Sequence, residues 1–291
     1  IMKEMVERED LVKINSWYMA LSVLGTACAA FFAMGLSGRP DSPVSIALTL
    51  WIYLGLTAIA SIVAFFINVG KSHTGLRMRS TRRNFAATWR HPIVRLSILG
   101  LSVFWGVTQI FLILIQNMTD MLNTAVIPIS MFIATAGYVS GAISASKASK
   151  GFVETGLIPL SAAASAITMF ALPFVHNGWL QAVLYGIIGW SAGCAFVILR
   201  TVIQNFTRPD TAGRIHAVAN CIQMAFLVLI MGGQTLLLIF TPVTLDYCFM
   251  ILAVILTLCF IANLRNNHMA LLRAALRFAF SFVFRYRVKV S

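Results

Sequence analysis

The sequence predicts an all-α membrane protein with eight transmembrane helices. Hydrophobic residues make up 59% of the chain and charged residues only 11%, whereas soluble proteins carry about 25% charged residues. A helix needs about 20 apolar residues to cross a bilayer. Eight windows reach that length: residues 17–36, 44–68, 93–116, 124–146, 155–175, 178–203, 214–239 and 243–264.

The connections between these windows alternate in charge, which supports the same set of spans. One group comprises the lead-in, the loop from Gly70 to Arg95, the turn after the fourth span, the segment from Arg200 to Arg214, and the tail. Of the 22 Lys and Arg residues, all but Arg39 belong to this group. Because Lys and Arg concentrate in cytoplasmic loops, we expect this group and both ends of the chain to face the cytoplasm. The topology also accounts for the net charge of +13, so nucleic-acid binding is not predicted.

The long basic loop divides the predicted helices into two groups. It carries Lys and Arg but no acid, and a charged loop of this length is costly to move across hydrocarbon. We therefore predict four parts: two spans that end a first bundle (1–69), a cytoplasmic linker (70–92), a six-helix bundle (93–264) and a basic amphipathic tail (265–291).

The two ends of the chain are predicted to be solvated or interfacial rather than membrane-spanning. In the lead-in, Asn15 and Ser16 are expected to cap the first helix. In the tail, a ninth span is possible by length. Arg273 and Arg277 lie one turn apart there, and this spacing favours a helix in the plane of the lipid headgroups.

Two spans carry small residues four positions apart, a spacing that lets helix backbones approach closely in lipid. The alternative is that glycine is simply common in membrane helices. The residues concerned are Gly137, Ser140, Gly141, Ser144, Gly189 and Gly193. In the seventh span the pair Gly232 and Gly233 is interpreted as padding in preference to a hinge.

The sequence holds no recognisable catalytic motif. None of the five histidines has an Asp five positions later, the general-base pair that glycerolipid acyltransferases use. Phosphate-cradling, zinc-protease and serine-hydrolase motifs are missing as well. His176 and His216 are interpreted as polar surface residues and not as ligands. We therefore predict that the protein is not an enzyme, with no catalytic residues, no cofactor and no metal site.

Polar side chains inside the spans are the best candidates for substrate contact, because they are costly in hydrocarbon unless they face a cavity or a partner helix. Contact between helices is the alternative for each of them. Arg200 and Arg214, at the ends of the sixth and seventh spans, are interpreted as snorkelling to the interface. The residues predicted to line a substrate cavity are Trp105, Gln109, Tyr138, Asn220 and Gln223.

Two spans, a long basic linker and six further spans resemble a transporter of the major facilitator superfamily. Such transporters have two six-helix halves, each with inverted three-helix repeats. The resemblance implies that the eight spans are the last eight of an expected twelve. Residues 93–264 would then be a complete C-terminal half, and the chain the C-terminal two-thirds of a longer protein.

Three segments resemble bacterial lysophospholipid transporters in particular. EREDLVKINS (7–16) looks like their loop before the fifth helix, and GFVETGLIPL (151–160) looks like their turn into the ninth. PDTAGRIHAVAN (209–220) is similar to their cytoplasmic loop before the eleventh. The last resemblance implies a cytoplasmic gate. In this gate Asp210 would cap the helix, Gly213 would permit a tight turn, and Arg214 would pair with acids or carbonyls.

The tail adds a second resemblance. LRFAFSFVFRYRVKV (276–290) looks like the lead-in of 2-acylglycerophosphoethanolamine acyltransferase, which in some bacteria is fused behind such a transporter and followed by an acyl carrier protein synthetase. Together the resemblances imply alternating-access transport of lysophospholipids, such as lysophosphatidylethanolamine, across the bacterial inner membrane. The expected partners are that substrate, membrane lipids and a fused or associated acyltransferase and acyl carrier protein synthetase. Two alternatives remain: a facilitator for another small solute or drug, and a membrane anchor for the acyltransferase.

Overall fold

The computed structural model describes residues 10–36, 92–117, 126–149, 152–207, 209–240 and 245–283, with residue 89 and scattered positions between 51 and 62. Every regular element within these ranges is helical. The α-helices are α1 (Leu11–Leu36), α2 (Pro92–Asn117), α3 (Val126–Ala148), α4 (Leu157–Ala171), α5 (Gly178–Phe206), α6 (Pro209–Phe240) and α7 (Leu245–Val283). A short 3-10 helix, Leu172–Phe174, extends α4.

Six helices in the described part of the chain are long and apolar enough to cross a membrane. They confirm the last six predicted spans and differ from them only by a few residues at the ends. Helix α1 covers the first predicted window. The second window is described only at scattered positions, and most of the predicted linker and residues 284–291 lie outside the described residues. The candidate spans are Pro92–Ile115, Ile129–Ala148, Leu157–Phe174, Gly178–Phe206, Ile215–Leu237 and Asp246–Arg265.

Helix starts follow local chemistry where the structure describes it. The side chain of Asn177 precedes α5 and accepts hydrogen bonds from the backbone N–H groups of Trp179 and Leu180, at 3.0 and 3.3 Å. This satisfies donors that have no partner within the helix. Helices α2 and α6 begin at Pro92 and Pro209. Proline is favoured at the first helical position, because no intrahelical bond needs its missing N–H.

The expected cap of α1 is wrong. The helix begins at Leu11, and the backbone N–H of Ile14 already donates to the carbonyl of Asp10 at 2.9 Å. Asn15 and Ser16 therefore lie inside the helix. The Ser16 hydroxyl donates to the carbonyl oxygen of Val12 at 2.7 Å, and Asn15 bonds to a different helix, as described below.

Helix α5 lies at the centre of the bundle. It packs against α1, α2, α3 and α4, and every residue from 191 to 199 is buried. A helix that is apolar all round is expected to be enclosed by other helices. By contrast, α6 leaves large apolar side chains such as Met224, Val228 and Leu229 exposed, as expected for a surface that faces lipid.

The interface of α3 and α5 decides between the two interpretations of the small residues. A Cβ atom on Gly137 or Gly141 would approach the backbone of Gly186 or Trp190 closer than 3.0 Å. The same holds from the other side, where Gly189 and Gly193 face the backbone of α3. Close backbone contact therefore requires glycine at these four positions.

The serines and the glycine pair behave differently from those four glycines. The Ser140 and Ser144 hydroxyls donate to carbonyls of their own helix, at 2.7 and 2.8 Å, and the Ser144 hydroxyl also accepts from Trp190 Nε1 at 3.3 Å. Cβ atoms on Gly232 and Gly233 would have no neighbour within 4 Å, and α6 runs through both as one helix.

The tail is helical up to residue 283 and is set off from the last span by a kink at Asn267 (φ −126°, ψ 22°). Arg273 Nη2 lies 3.0 Å from Glu154 Oε1 in the connection between α3 and α4. The Arg273 guanidinium also lies 4.7 Å from the ring centroid of Phe152. Because the Glu154 side chain is 2% exposed, these contacts hold the tail helix against the start of α4.

Candidate functional site

A cavity of about 880 Å³ lies between α1 and the helices that follow the basic linker. Its walls come from α1, α2, α3, α5 and α6. Most lining residues are apolar or aromatic, and helix α1 supplies one wall with Tyr18, Met19, Ser22 and Val23. Ligand sites in proteins typically have volumes of about 300–1,000 Å³ and combine an apolar wall with a few polar groups. This cavity is therefore the candidate functional site.

All five residues predicted to contact substrate line this cavity. Trp105 and Gln109 reach it from α2, Tyr138 from α3, and Asn220 and Gln223 from α6. The pairs on α2 and α6 are spaced by four and three positions, so the members of each pair share a helix face. The structure thus brings together side chains from three separate spans. Their role in binding stays a prediction.

The ring of Phe196 on α5 contacts two of these residues. The ring of Trp105 stands perpendicular to it, with the centroids 5.9 Å apart. The ring of Tyr138, on α3, has its centroid 6.0 Å from the centroid of the Phe196 ring. Buried indole N–H groups usually have a partner, yet no group among the described residues accepts a hydrogen bond from Trp105 Nε1. A bound ligand with an acceptor atom would remove that cost.

The sequence interpretation missed two basic side chains of the cavity. Arg200 on α5 lines it, and its guanidinium lies 5.0 Å from the centroid of the Tyr18 ring. Its Nη1 is 3.9 Å from Met19 Sδ. The expectation that Arg200 snorkels to the interface is therefore wrong, because the side chain turns toward α1. His216, expected at the surface, is half-buried and also lines the cavity.

The length of helix α5 is a sequence signal that Arg200 lies inside the bundle and not at its end. The apolar stretch of α5 continues to Phe206, so Arg200 lies about 9 Å along the axis from the helix end at 1.5 Å per residue. An arginine at that depth either extends to the interface or contacts another group in the bundle. Sequence alone could not decide between these, because Tyr18 belongs to a distant helix.

Comparison with known proteins identifies the family. A family model of the Major Facilitator Superfamily matches residues 1–233. The chain belongs to this superfamily. It is thus a multi-pass membrane transporter, and its all-α bundle is the superfamily fold. Neither the curated proteins nor the solved structures gave a match.

In this superfamily transporter, the predicted gate residues lie at the start of α6. Asp210 is the second residue of that helix, and Gly213 and Arg214 follow within its first two turns. Gly213 therefore lies in a helix, and the expected tight turn at that position is wrong. The positions of the Asp210 and Arg214 side chains are outside the described residues, so the predicted gate contacts stay a prediction.

A buried hydrogen-bond network joins α1 to α5 beside the cavity. Asn15 Nδ2 donates to Thr201 Oγ1 at 3.0 Å and to the side-chain oxygen of Gln204. Asn15 and Thr201 are fully buried, and Gln204 also contributes to the cavity wall. Because buried polar groups are costly when unpaired, this network fixes the position of α1 against the C-terminal helices.

Proposed function

We propose that this transporter moves lysophospholipids, such as lysophosphatidylethanolamine, across the bacterial inner membrane by alternating access. The observation that carries the proposal is the amphiphilic cavity: apolar and aromatic side chains make up most of its wall, and amide, hydroxyl and guanidinium groups make up a smaller part. A lysophospholipid has the same division, with one acyl chain and one polar headgroup.

The position of the polar groups along the helices supports this substrate class. Arg200 and His216 each lie about two helical turns from the connection between α5 and α6. Asn220 and Gln223 follow on the next turns of α6. Met131, near the start of α3, and Leu112, near the end of α2, line the part of the cavity farther from that connection. A headgroup near that connection would leave the acyl chain against the apolar wall.

Each of the five predicted substrate residues has a role in this proposal. The amides of Asn220 and Gln223 donate and accept hydrogen bonds with the headgroup, and the amide of Gln109, one turn from Leu112, bonds the ester that joins the glycerol to the acyl chain. Trp105 and Tyr138, packed on a common aromatic ring, provide flat apolar surface for the glycerol and the start of the acyl chain.

The proposed transport mechanism uses the two groups of helices on either side of the linker. Helix α1, from residues 1–69, and helices of residues 93–264 together form the wall of the cavity. In superfamily transporters access alternates when two bundles rock around a central site. We place both ends of the chain on the cytoplasmic side, where Asp210, Gly213 and Arg214 would belong to the cytoplasmic gate.

The test replaces amide groups of the cavity wall. Gln109→Leu and Gln223→Leu should each lower uptake of labelled lysophosphatidylethanolamine by spheroplasts, by roughly tenfold for the loss of one or two hydrogen bonds to a polar ligand. Gln234→Leu is the matched control, because Gln234 is a half-buried amide of α6 that does not line the cavity. Uptake by both variants equal to that of the control, at equal protein level, would remove these amides from the site.

A second candidate function is transport of another amphiphilic solute or drug, which the aromatic wall formed by Trp105, Phe111, Tyr138 and Phe196 also favours. Binding of a lysophospholipid can be compared with binding of water-soluble solutes and of a hydrophobic cation such as tetraphenylphosphonium. The lysophospholipid should be preferred to the cation, because the described lining residues include Arg200 and no carboxylate. Preference for the cation would favour drug transport instead.

We further propose that a fused or associated acyltransferase, with an acyl carrier protein synthetase, acts on the transported lipid. Support comes from the tail helix, which Glu154 and Arg273 hold against the bundle and which would anchor a following domain near the membrane. Co-purification of acyltransferase activity with the transporter tests this. Its absence from the purified complete gene product would contradict it.

A further inference from the structure

The environment of the Arg200 side chain is unfavourable for a positive charge that has no anionic partner. It is half-buried in the wall of a mainly apolar cavity, between the ring of Tyr18 and the thioether of Met19. Removing a cation from water is costly unless an anion or several hydrogen-bond acceptors replace the lost hydration. The aromatic ring supplies a part of that replacement.

No carboxylate supplies the rest within the described part of the chain. The ion pair found there joins Arg273 to Glu154, in a different region of the bundle. The described residues that line the cavity include neither Asp nor Glu. His216 lines the same cavity and supplies an imidazole N–H that can donate a hydrogen bond. The electrostatic balance of the cavity therefore favours an anionic ligand.

The neighbours of Arg200 could complete a site for an oxyanion. His216 and Asn220 share a face of α6, four positions apart, and line the same cavity as Arg200. Amide and imidazole N–H groups donate to oxyanions. A guanidinium adds two parallel N–H donors, which match the geometry of a phosphate.

We propose that Arg200 binds the phosphate of the transported lipid and that Tyr18 positions its guanidinium. This proposal rests on the proposed lysophospholipid transport and adds the group that selects the headgroup. The ammonium of lysophosphatidylethanolamine does not contribute to this selection. The selected chemistry is an oxyanion linked to an acyl chain, as distinct from free phosphate or from an uncharged acylglycerol.

The test measures binding to the purified protein in nanodiscs with four probes: lysophosphatidylethanolamine, lysophosphatidic acid, monoacylglycerol and glycerol phosphate. The unaltered protein should bind both phosphate-containing lipids roughly 10- to 100-fold more tightly than monoacylglycerol, the range expected for hydrogen bonds to a charged group. Glycerol phosphate should bind weakly because it has no acyl chain.

Three variants connect this preference to the guanidinium. Arg200→Gln should abolish the preference for phosphate and leave monoacylglycerol binding unchanged, which also demonstrates that the variant is folded. Arg200→Lys should retain a part of the preference, because it keeps the charge and loses the fork of donors. Arg265→Gln removes a charge from an exposed position of α7 and should behave like the unaltered protein.

The outcomes separate failure of this inference from failure of the proposed function. If the unaltered protein prefers lysophospholipids and Arg200→Gln keeps that preference, the role of Arg200 is wrong and lysophospholipid transport stands. If lysophosphatidylethanolamine does not bind but lysophosphatidic acid binds through Arg200, the oxyanion site stands and the proposed substrate is wrong. If no probe binds above an empty nanodisc, both are overturned.

Discussion

Replacing Gly141 by alanine tests whether the backbones of α3 and α5 must touch. The added Cβ would lie closer than 3.0 Å to the carbonyl oxygen of Trp190, and the carbonyl of Gly141 itself accepts from Cys194 Sγ at 3.1 Å. The two helices must separate locally to admit a methyl group. Overpacking of this kind costs about 1–3 kcal/mol.

The size of the effect can be read from thermal unfolding in detergent. At about 2–4 °C for each kcal/mol in a chain of comparable size, Gly141→Ala should lower the midpoint by roughly 2–12 °C. Gly233→Ala is the matched control, because nothing lies within 4 Å of its added Cβ. Alanine is a better helix former than glycine by up to about 1 kcal/mol, so this variant should be neutral or slightly more stable.

The contrast between the two variants carries the test. If Gly141→Ala unfolds at the same temperature as Gly233→Ala, the close approach of α3 and α5 is wrong, and the glycines of these spans have no packing role. A lower midpoint for both variants would show a general sensitivity of the detergent-bound protein and would equally contradict the argument from contact geometry.

Two further predictions concern the connection of α1 to the bundle and the topology. Asn15→Ala should lower the free energy of unfolding by about 1–3 kcal/mol, because it leaves the buried Thr201 and Gln204 side chains with one partner fewer. Ser16→Ala is the control, because it loses only a bond within its own helix. Equal stability of the two variants would contradict the network. Cysteines introduced as Arg39→Cys and Arg83→Cys should react with a membrane-impermeant thiol reagent from opposite sides of sealed vesicles. Reaction of both from the same side would overturn the alternating topology.

The candidate site was predictable in part. Trp105, Gln109, Tyr138, Asn220 and Gln223 could be selected because a polar or amphipathic side chain inside an apolar window is unusual enough to need a reason. The structure places all of them on the wall of one cavity. Arg200 was assigned to the membrane interface and His216 to the surface, because both lie near helix ends, where contact with water is the simpler explanation.

The order of the helices along the chain and the apolar character of each follow from the sequence alone. A run of about 20 apolar residues has few alternatives to crossing a membrane as a helix, since every backbone group must be bonded within the segment. This argument needs no knowledge of the neighbours. The loops, with their unequal share of Lys and Arg, add an expected orientation.

Only the tertiary structure decided which faces of these helices meet. Many of the spans are apolar on all sides, so no stripe of polar residues separates a face that contacts lipid from one that contacts protein. The sequence predicted Asn15 as a helix cap, whereas its hydrogen-bond partners in the structure lie 186 and 189 positions later in the chain. Arg200 likewise turns toward Met19, 181 positions away. Such pairings depend on how each helix is rotated about its axis, and that rotation is set by close packing between helices, which the local sequence does not record.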